Sequence, residues 1–353
     1  RGSHGSSGWG DAAVHVPWEI HLESGRTDIL AAQFESMCRW VDFAARRAEG
    51  RRHPSRVAAR EEPLPHEKFI WDSGWHYGEW LEPGADIETD VAGLAELDHG
   101  AVATAYLYRS SSQLGRIAEV LGRAPEVERY LGLAADCLDA WRAEFIDSEG
   151  QVMPRTQANL CRSLAFGLVP EELRQKVADD LVQLIEEAGM HLGTGFLSTP
   201  MLLPVLADHG HLDTAYALLF QDTEPSWMNM SNQYPTIWED WDGIKNGKAT
   251  HSLNHYSKGA VISFLHTHIA GLTRLEPAYR RVRVAPSPGA GITWARTHHD
   301  ASHGRIAVEW HLDNSTGTVV AEIPPGTECE IVTPDGQMSV VGEGTHTRTW
   351  MHG

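Results

Sequence analysis

Apolar residues recur at three- and four-residue spacings through the first three quarters of the chain, a period that predicts helices. Residues 11–20 read as a helix tightened by Pro17, with Gly25 ending it. Thr27 can cap the next helix, where Leu30, Phe34, Met37, Val41 and Ala44 share one stripe that runs out in the charged residues 46–50. The polar stretch to residue 62, closed by Pro63 and Pro65, reads as a loop. Residues 69–83 show neither helical nor strand period and read as an ordered loop. Further helices are predicted over 90–110 and 113–121, and from Pro125 through Leu131, Ala134, Leu138, Trp141 and Phe145 to a stop at Gly150. Others follow over 159–166 and 171–188, over 199–206 with Thr199 as cap and Pro200 in the first turn, and over 212–220 and 257–272.

After residue 275 the period changes. Val282 and Val284 open it, and Ile306, Val308, Trp310 and Leu312 then alternate with polar residues, the pattern of a half-buried strand. The turn at 313–317 leads to a returning strand over 318–323, and Pro324-Pro325-Gly326, Asp335-Gly336 and Gly342-Glu343-Gly344 separate further short strands. Helices that follow one another in pairs, joined by short turns, exclude a βαβ arrangement and leave a bundle, a solenoid or a toroid. Long decorated loops between the pairs favour the toroid. The expected fold is mainly α: an α/α barrel over 9–273 and a small antiparallel β-sandwich over 274–353, with 1–8 a tag remnant or loop.

Composition narrows the function. The formal charge of −19 sets long-range repulsion against a nucleic-acid backbone or an anionic membrane, so neither is expected as a partner. Cys38, Cys137, Cys161 and Cys329 have no paired spacing, so no disulfide framework or cysteine zinc site is expected. With no signal peptide in view, a cytoplasmic location is favoured over a secreted one. No cofactor is expected. His298, His299, His303 and Asp300 lie close in sequence but lack motif spacing for a metal.

The thirteen tryptophans carry more information, because many sit beside carboxylates, as Trp71 does beside Asp72, Trp75 near Glu79 and Trp80 near Glu82. Residues 234–256 concentrate the pattern: Trp238 and Trp241, Glu239, Asp240 and Asp242, His251 and His255. Acids can activate water, and indoles offer flat faces to the C–H side of a sugar. A surface loop with incidental charge, its indoles filling a gap in the core, is the alternative reading of this stretch alone.

The sequence TIWEDWDG followed by SLNHYSKGAV resembles the signature that closes the catalytic barrel of the bacterial α-L-rhamnosidases of glycoside hydrolase family 78. Gly8-Trp9-Gly10-Asp11-Ala12-Ala13, the loop from Trp75 to Leu81, Gly167-Leu168-Val169-Pro170 and the run from His191 to Leu197 are similar to that family's blocks in the same order. The resemblance implies an α/α barrel of six helical hairpins followed by a β-sandwich. It also implies an inverting glycoside hydrolase that releases terminal α-L-rhamnose from a rhamnosyl glycoside or oligosaccharide. Residue by residue, Glu239 falls on the family's catalytic base, His255 on a substrate-contacting histidine, and Asp72, Trp75, Tyr77 and Trp80 on its sugar-binding loop, with Trp238 and Trp241 flanking the base.

Two departures stand out. The family's Arg-Asp-Glu-Arg run, which carries the general acid upstream of the Gly-Trp-Gly-Asp-Ala block, is missing, and the helices readable here are fewer than six hairpins require. An upstream part of the same enzyme, carrying that acid, is therefore an expected partner. Asn232-Gln233-Tyr234-Pro235 also replaces the small residues usual before the signature and should reshape the sugar pocket. Two other readings stand beside the hydrolase: a carbohydrate-binding fragment without catalysis, and a hydrolase of another neutral or uronic sugar.

Overall fold

The computed structural model describes residues 5–84, 93 and 97–351. The first stripe folds as its period requires. In α2 (Asp28–Gly50), Leu30, Phe34, Met37, Val41, Ala44 and Ala48 lie on one buried face. Each large side chain so buried contributes roughly 1.5–3 kcal/mol relative to exposure. That face packs on α1 (Ala12–Ser24), which runs through a buried Pro17 and ends at Gly25, whose left-handed φ of 73° suits glycine. The loop expected over 51–62 holds a short helix, α3 (Pro54–Ala59), opened by Pro54.

Helical hairpins continue as α4 (Gly100–Val120) with α5 (Ala124–Phe145), α6 (Gln157–Ala165) with α7 (Arg174–Glu187), and α8 (Thr199–Asp208) with α9 (Leu212–Leu219). α4 is continuous where two helices were predicted, and the part of the 90–110 prediction over 90–92 and 94–96 lies outside the described residues. Thr199 opens α8 from inside, and Ser198 stands at its N-cap position. The short α10 (Trp227–Gln233), capped by Ser226, and a hairpin of β1 (Ile244–Lys245) and β2 (Lys248–Ala249) occupy a region with no predicted element.

Alternate helices pack side by side: α1 on α4, α4 on α6, α6 on α8, and α8 on α11 (Tyr256–Gly259). These are the inner helices. In α6 all but one residue is buried, whereas α5 and α7 show one buried stripe each. Alternate members of up-and-down hairpins run parallel, so the inner N-termini share one end of the arc.

The helix predicted over 257–272 is divided into α11, α12 (Ile262–Phe264) and a π-turn over Leu265–Ile269. There the Ala270 N–H reaches back to the Leu265 carbonyl at 2.9 Å, and the Ile269 carbonyl accepts the Trp310 indole N–H at 2.7 Å. A side chain on Gly271, φ 89°, would strike the backbone of Pro286 at 2.4 Å, so the chain can turn into β3 (Leu272–Arg274) only with glycine.

Two four-stranded sheets complete the chain. One orders β10 (Gly344–Met351), β7 (Thr316–Ile323), β6 (Gly304–Asp313) and β5 (Trp294–Ala301); the other orders β3, β4 (Arg281–Val284), β8 (Glu328–Val332) and β9 (Met338–Val341). Ile306, Val308 and Trp310 face inward as their alternation predicts. The sandwich is antiparallel except at one seam, where β4 and β8 run parallel.

Candidate active site

The segments that precede the inner helices meet at the shared end. Residues 5–11 lead into α1, 70–84 lie upstream of α4, 190–198 lead into α8 and 234–255 lead into α11. Their aromatic rings form a continuous wall: Trp75 to Tyr77 at 4.2 Å, Tyr77 to Trp80 at 5.1 Å and to Trp9 at 4.5 Å, Trp9 to Phe196 at 6.3 Å, and Phe196 to His255 at 5.0 Å. All six rings are half-buried and keep open area. Trp75, Tyr77, Trp80 and His255 were expected from sequence; Trp9 and Phe196 lay in recognised blocks but were not singled out as contacts.

Ser6 and Ser7, within the 1–8 segment expected as a tag remnant or loop, belong to this end and are buried. The Ser6 hydroxyl accepts the Tyr77 N–H at 3.1 Å, and the Ser7 hydroxyl meets His76 Nδ1 at 3.2 Å. Asp11, fully buried, accepts from the Gly8 N–H, the Trp40 indole and the Ser110 hydroxyl, which fixes this turn against α2 and α4. Burial raises its carboxyl above the usual range, and those donors pull it back.

Glu79 is the clamp between two of the loops. One oxygen accepts the Gly195 and Ser198 N–H groups at 3.0 and 2.7 Å; the other accepts Arg162 at 2.5 Å and the Ser198 hydroxyl at 3.0 Å. Trp75, Tyr77 and Trp80 are held against Phe196 by this carboxylate. Nearby, burial and then Glu79 push the Glu82 carboxyl up to about 7.

The three acids of the 234–255 segment are not equivalent. Asp242 is paired with Lys245, and Asp240 faces His251 at 3.3 Å. Glu239 is half-buried, and its carboxylate accepts one hydrogen bond among the described residues, from the Ser252 N–H at 3.2 Å. Its own N–H donates to the Ser252 carbonyl at 2.8 Å, and the His255 N–H donates to the Ile237 carbonyl at 2.8 Å, so the base candidate and the end of the wall are joined through the backbone. His255 Nδ1 accepts from the Ser257 N–H at the start of α11, which puts the proton of a neutral ring on Nε2.

Three expected contacts need correction. Trp238 and Trp241 are 1% and 0% exposed and present no face for a sugar. The Trp241 indole donates to the Thr194 carbonyl at 2.8 Å and packs edge-on against Trp227; Trp238 lies under Tyr234. They wedge the base loop in place from below. Asp72, 1% exposed, is bound to Arg56 at 2.6 Å and accepts the His53 N–H at 3.0 Å, in a cluster that includes Glu144, so its carboxylate is spent on structure. Sequence proximity to Trp75 could not reveal that, because Arg56 comes from the separate helix α3 and Glu144 from α5. Among the described residues no group of His, Cys, Asp and Glu side chains converges as a metal-ligand set; His299 stacks on Tyr279 at 3.8 Å and faces Glu23.

The chain matches the bacterial alpha-L-rhamnosidase 6 hairpin glycosidase domain over residues 1–269 and the bacterial alpha-L-rhamnosidase C-terminal domain over 271–348. It is 34% identical over 337 residues to an alpha-L-rhamnosidase of Streptomyces avermitilis, covering 94% of this chain and 30% of that protein. An alpha-L-rhamnosidase of Formosa agariphila is 32% identical, covering 93% and 34%. Among solved structures, the Streptomyces avermitilis alpha-L-rhamnosidase complexed with L-rhamnose superposes with a TM-score of 0.84 at 31% identity, covering 99% of this chain and 34% of that one. The native enzyme of Aspergillus terreus gives 0.87 at 31% identity, covering 99% and 39%. The chain spans about a third of the length of the relatives it matches. With both family models matched in order along the chain, it belongs to the bacterial alpha-L-rhamnosidase 6 hairpin glycosidase family.

Proposed function

We propose that this chain is the base-bearing part of an inverting hydrolase that releases terminal α-L-rhamnose from rhamnosyl glycosides, with Glu239 as the base. The observation that carries the reading is the inequality of the three acids: Asp240 and Asp242 are paired, and Glu239 keeps a carboxylate oxygen without a hydrogen bond among the described residues. The solved relative that holds L-rhamnose supports the choice of sugar. In the proposed reaction Glu239 takes a proton from water as that water attacks C1 from the face opposite the leaving group. The C1–O bond breaks through an oxocarbenium-like state, and a carboxylic acid on an upstream part of the same enzyme protonates the leaving oxygen. The two carboxyls would stand about 6.5–9.5 Å apart to admit the water. Trp75, Tyr77, Trp80, Trp9 and Phe196 offer apolar faces to the sugar ring, and His255 Nε2 can donate to a hydroxyl.

The test uses the longer enzyme and an aryl α-L-rhamnoside. E239Q should bind L-rhamnose by calorimetry within about threefold of wild type and lose roughly 10²–10⁴-fold in kcat. NMR of the first product should show the inverted anomer. Near-wild-type turnover by E239Q removes Glu239 from the role, a retained anomer removes the inverting mechanism, and rhamnose binding by a wild type without turnover favours the binding-fragment reading.

A further inference from the structure

Lys258 is 0% exposed, inside the wall that frames the proposed base. Its ammonium donates to the backbone carbonyl of Glu239 at 2.5 Å. It lies 4.8 Å from the centre of the Trp241 ring and 5.2 Å from that of Phe196, within cation–π range of both. The Lys258 carbonyl accepts the Trp227 indole N–H at 2.9 Å. One residue near the start of α11 therefore ties together the base loop, the indole wedged beneath it, the wall ring Phe196 and α10.

An ammonium is costly to bury, and an apolar side chain of similar volume often serves packing as well or better. Phe196 and Trp241 would be content with a methionine between them. Asp240, Glu239 and Glu79 all act on its charge. Of these, Asp240 also faces His251, and Glu79 also holds Arg162. Glu239 has no counter-charge of its own beyond this one among the described residues.

We propose that Lys258 is a positioning residue for the hydrolysis: through the Glu239 carbonyl it fixes where the base carboxylate points. This role rests on the reading of Glu239 as the base. Burial draws the ammonium down to about 8, while Asp240, Glu239 and Glu79 pull it back, so the group is charged at neutral pH.

The experiment is K258M in the longer enzyme, assayed for kcat, KM, L-rhamnose affinity and thermal midpoint. The expected result is a loss in kcat of about a hundredfold, the scale of a displaced catalytic group. L-rhamnose affinity should stay within about threefold, and the midpoint should change little, because the buried charge is removed with the hydrogen bond. K258Q keeps a donor without the charge. A kcat in K258Q at least tenfold above that of K258M supports positioning through the hydrogen bond, and a K258Q loss equal to that of K258M overturns it. A K258M enzyme with kcat within threefold of wild type, beside an inactive E239Q, overturns the role of Lys258 alone; near-wild-type turnover by E239Q overturns the base assignment and this role with it. Should K258M not fold, K258L decides: a tenfold or larger fall in kcat at unchanged affinity supports the proposal, and wild-type kcat overturns it.

Discussion

Glu79→Gln changes one atom and should be among the most damaging conservative substitutions in the barrel. The Glu79 carboxylate satisfies two backbone N–H groups, the Ser198 hydroxyl and the guanidinium of Arg162, whose side chain is 3% exposed. A glutamine oxygen can keep the Gly195 and Ser198 N–H groups, but its amide then points at Arg162. The guanidinium is left with the Ser198 hydroxyl at 3.1 Å, a neutral partner, on a side chain that is 3% exposed. Removing one member of a buried ion pair costs about 3–5 kcal/mol, because the other charge stays without a counter-charge. At an unfolding entropy of roughly 2.1 cal/mol/K per residue, that is a fall in the thermal midpoint of about 4–7 °C for a chain of this length. Differential scanning calorimetry measures it. The double variant E79Q/R162M should recover much of the loss, since no unpaired charge is left behind. The loop that carries Trp75, Tyr77 and Trp80 is tied to Phe196 through the same carboxylate, so E79Q should also weaken L-rhamnose binding. A midpoint within about 1 °C of wild type, with unchanged rhamnose affinity, would refute the clamp.

Two further outcomes follow from the same site end. His15 and His76 are pulled down to about 3 and 4 by burial, then by Arg109 and by His99 respectively, so the folded chain refuses protons that the unfolded chain accepts near pH 6.5. Their stabilising contribution is complete above pH 6.5 and lost as pH falls towards 4, at about 1.4 kcal/mol per unit for each ring. Urea titrations between pH 7 and 4 read this slope, and H76Q should remove about half of it; an unchanged slope contradicts the assignment. Gly243→Ala should lower kcat in the longer enzyme by more than its stability cost suggests. A Cβ there, at φ 56°, would meet the Trp238 ring at 1.8 Å and displace the indole next to Glu239. Wild-type kcat in G243A would show that the position of Trp238 has no bearing on the base.

Local periodicity was sufficient for the helices of α2 and α5 and for the inward alternation of β6, because those stripes depend on residues three, four or two positions away. The residues of the aromatic blocks likewise meet at one end of the barrel, since each loop before an inner helix is contiguous in sequence. Where one segment's partners come from another, the chain read alone misassigns roles. Trp238 and Trp241 look the same on paper as Trp75 and Trp80, yet the first two are sealed by Trp227, Thr194 and Tyr234, while the others keep open faces. Asp72 looks as available as Glu239 until Arg56 and Glu144 are brought to it.

The end of the last helix is also held from far away, because the Ile269 carbonyl is taken by Trp310, forty-one positions on. Sequence determined the main helical and strand regions and which loops are rich in acids and indoles. Tertiary structure decided which of those acids keeps an oxygen without a hydrogen bond among the described residues and which rings keep a free face. Burial and pairing are properties of an environment assembled from distant residues, and no window of the chain contains that environment.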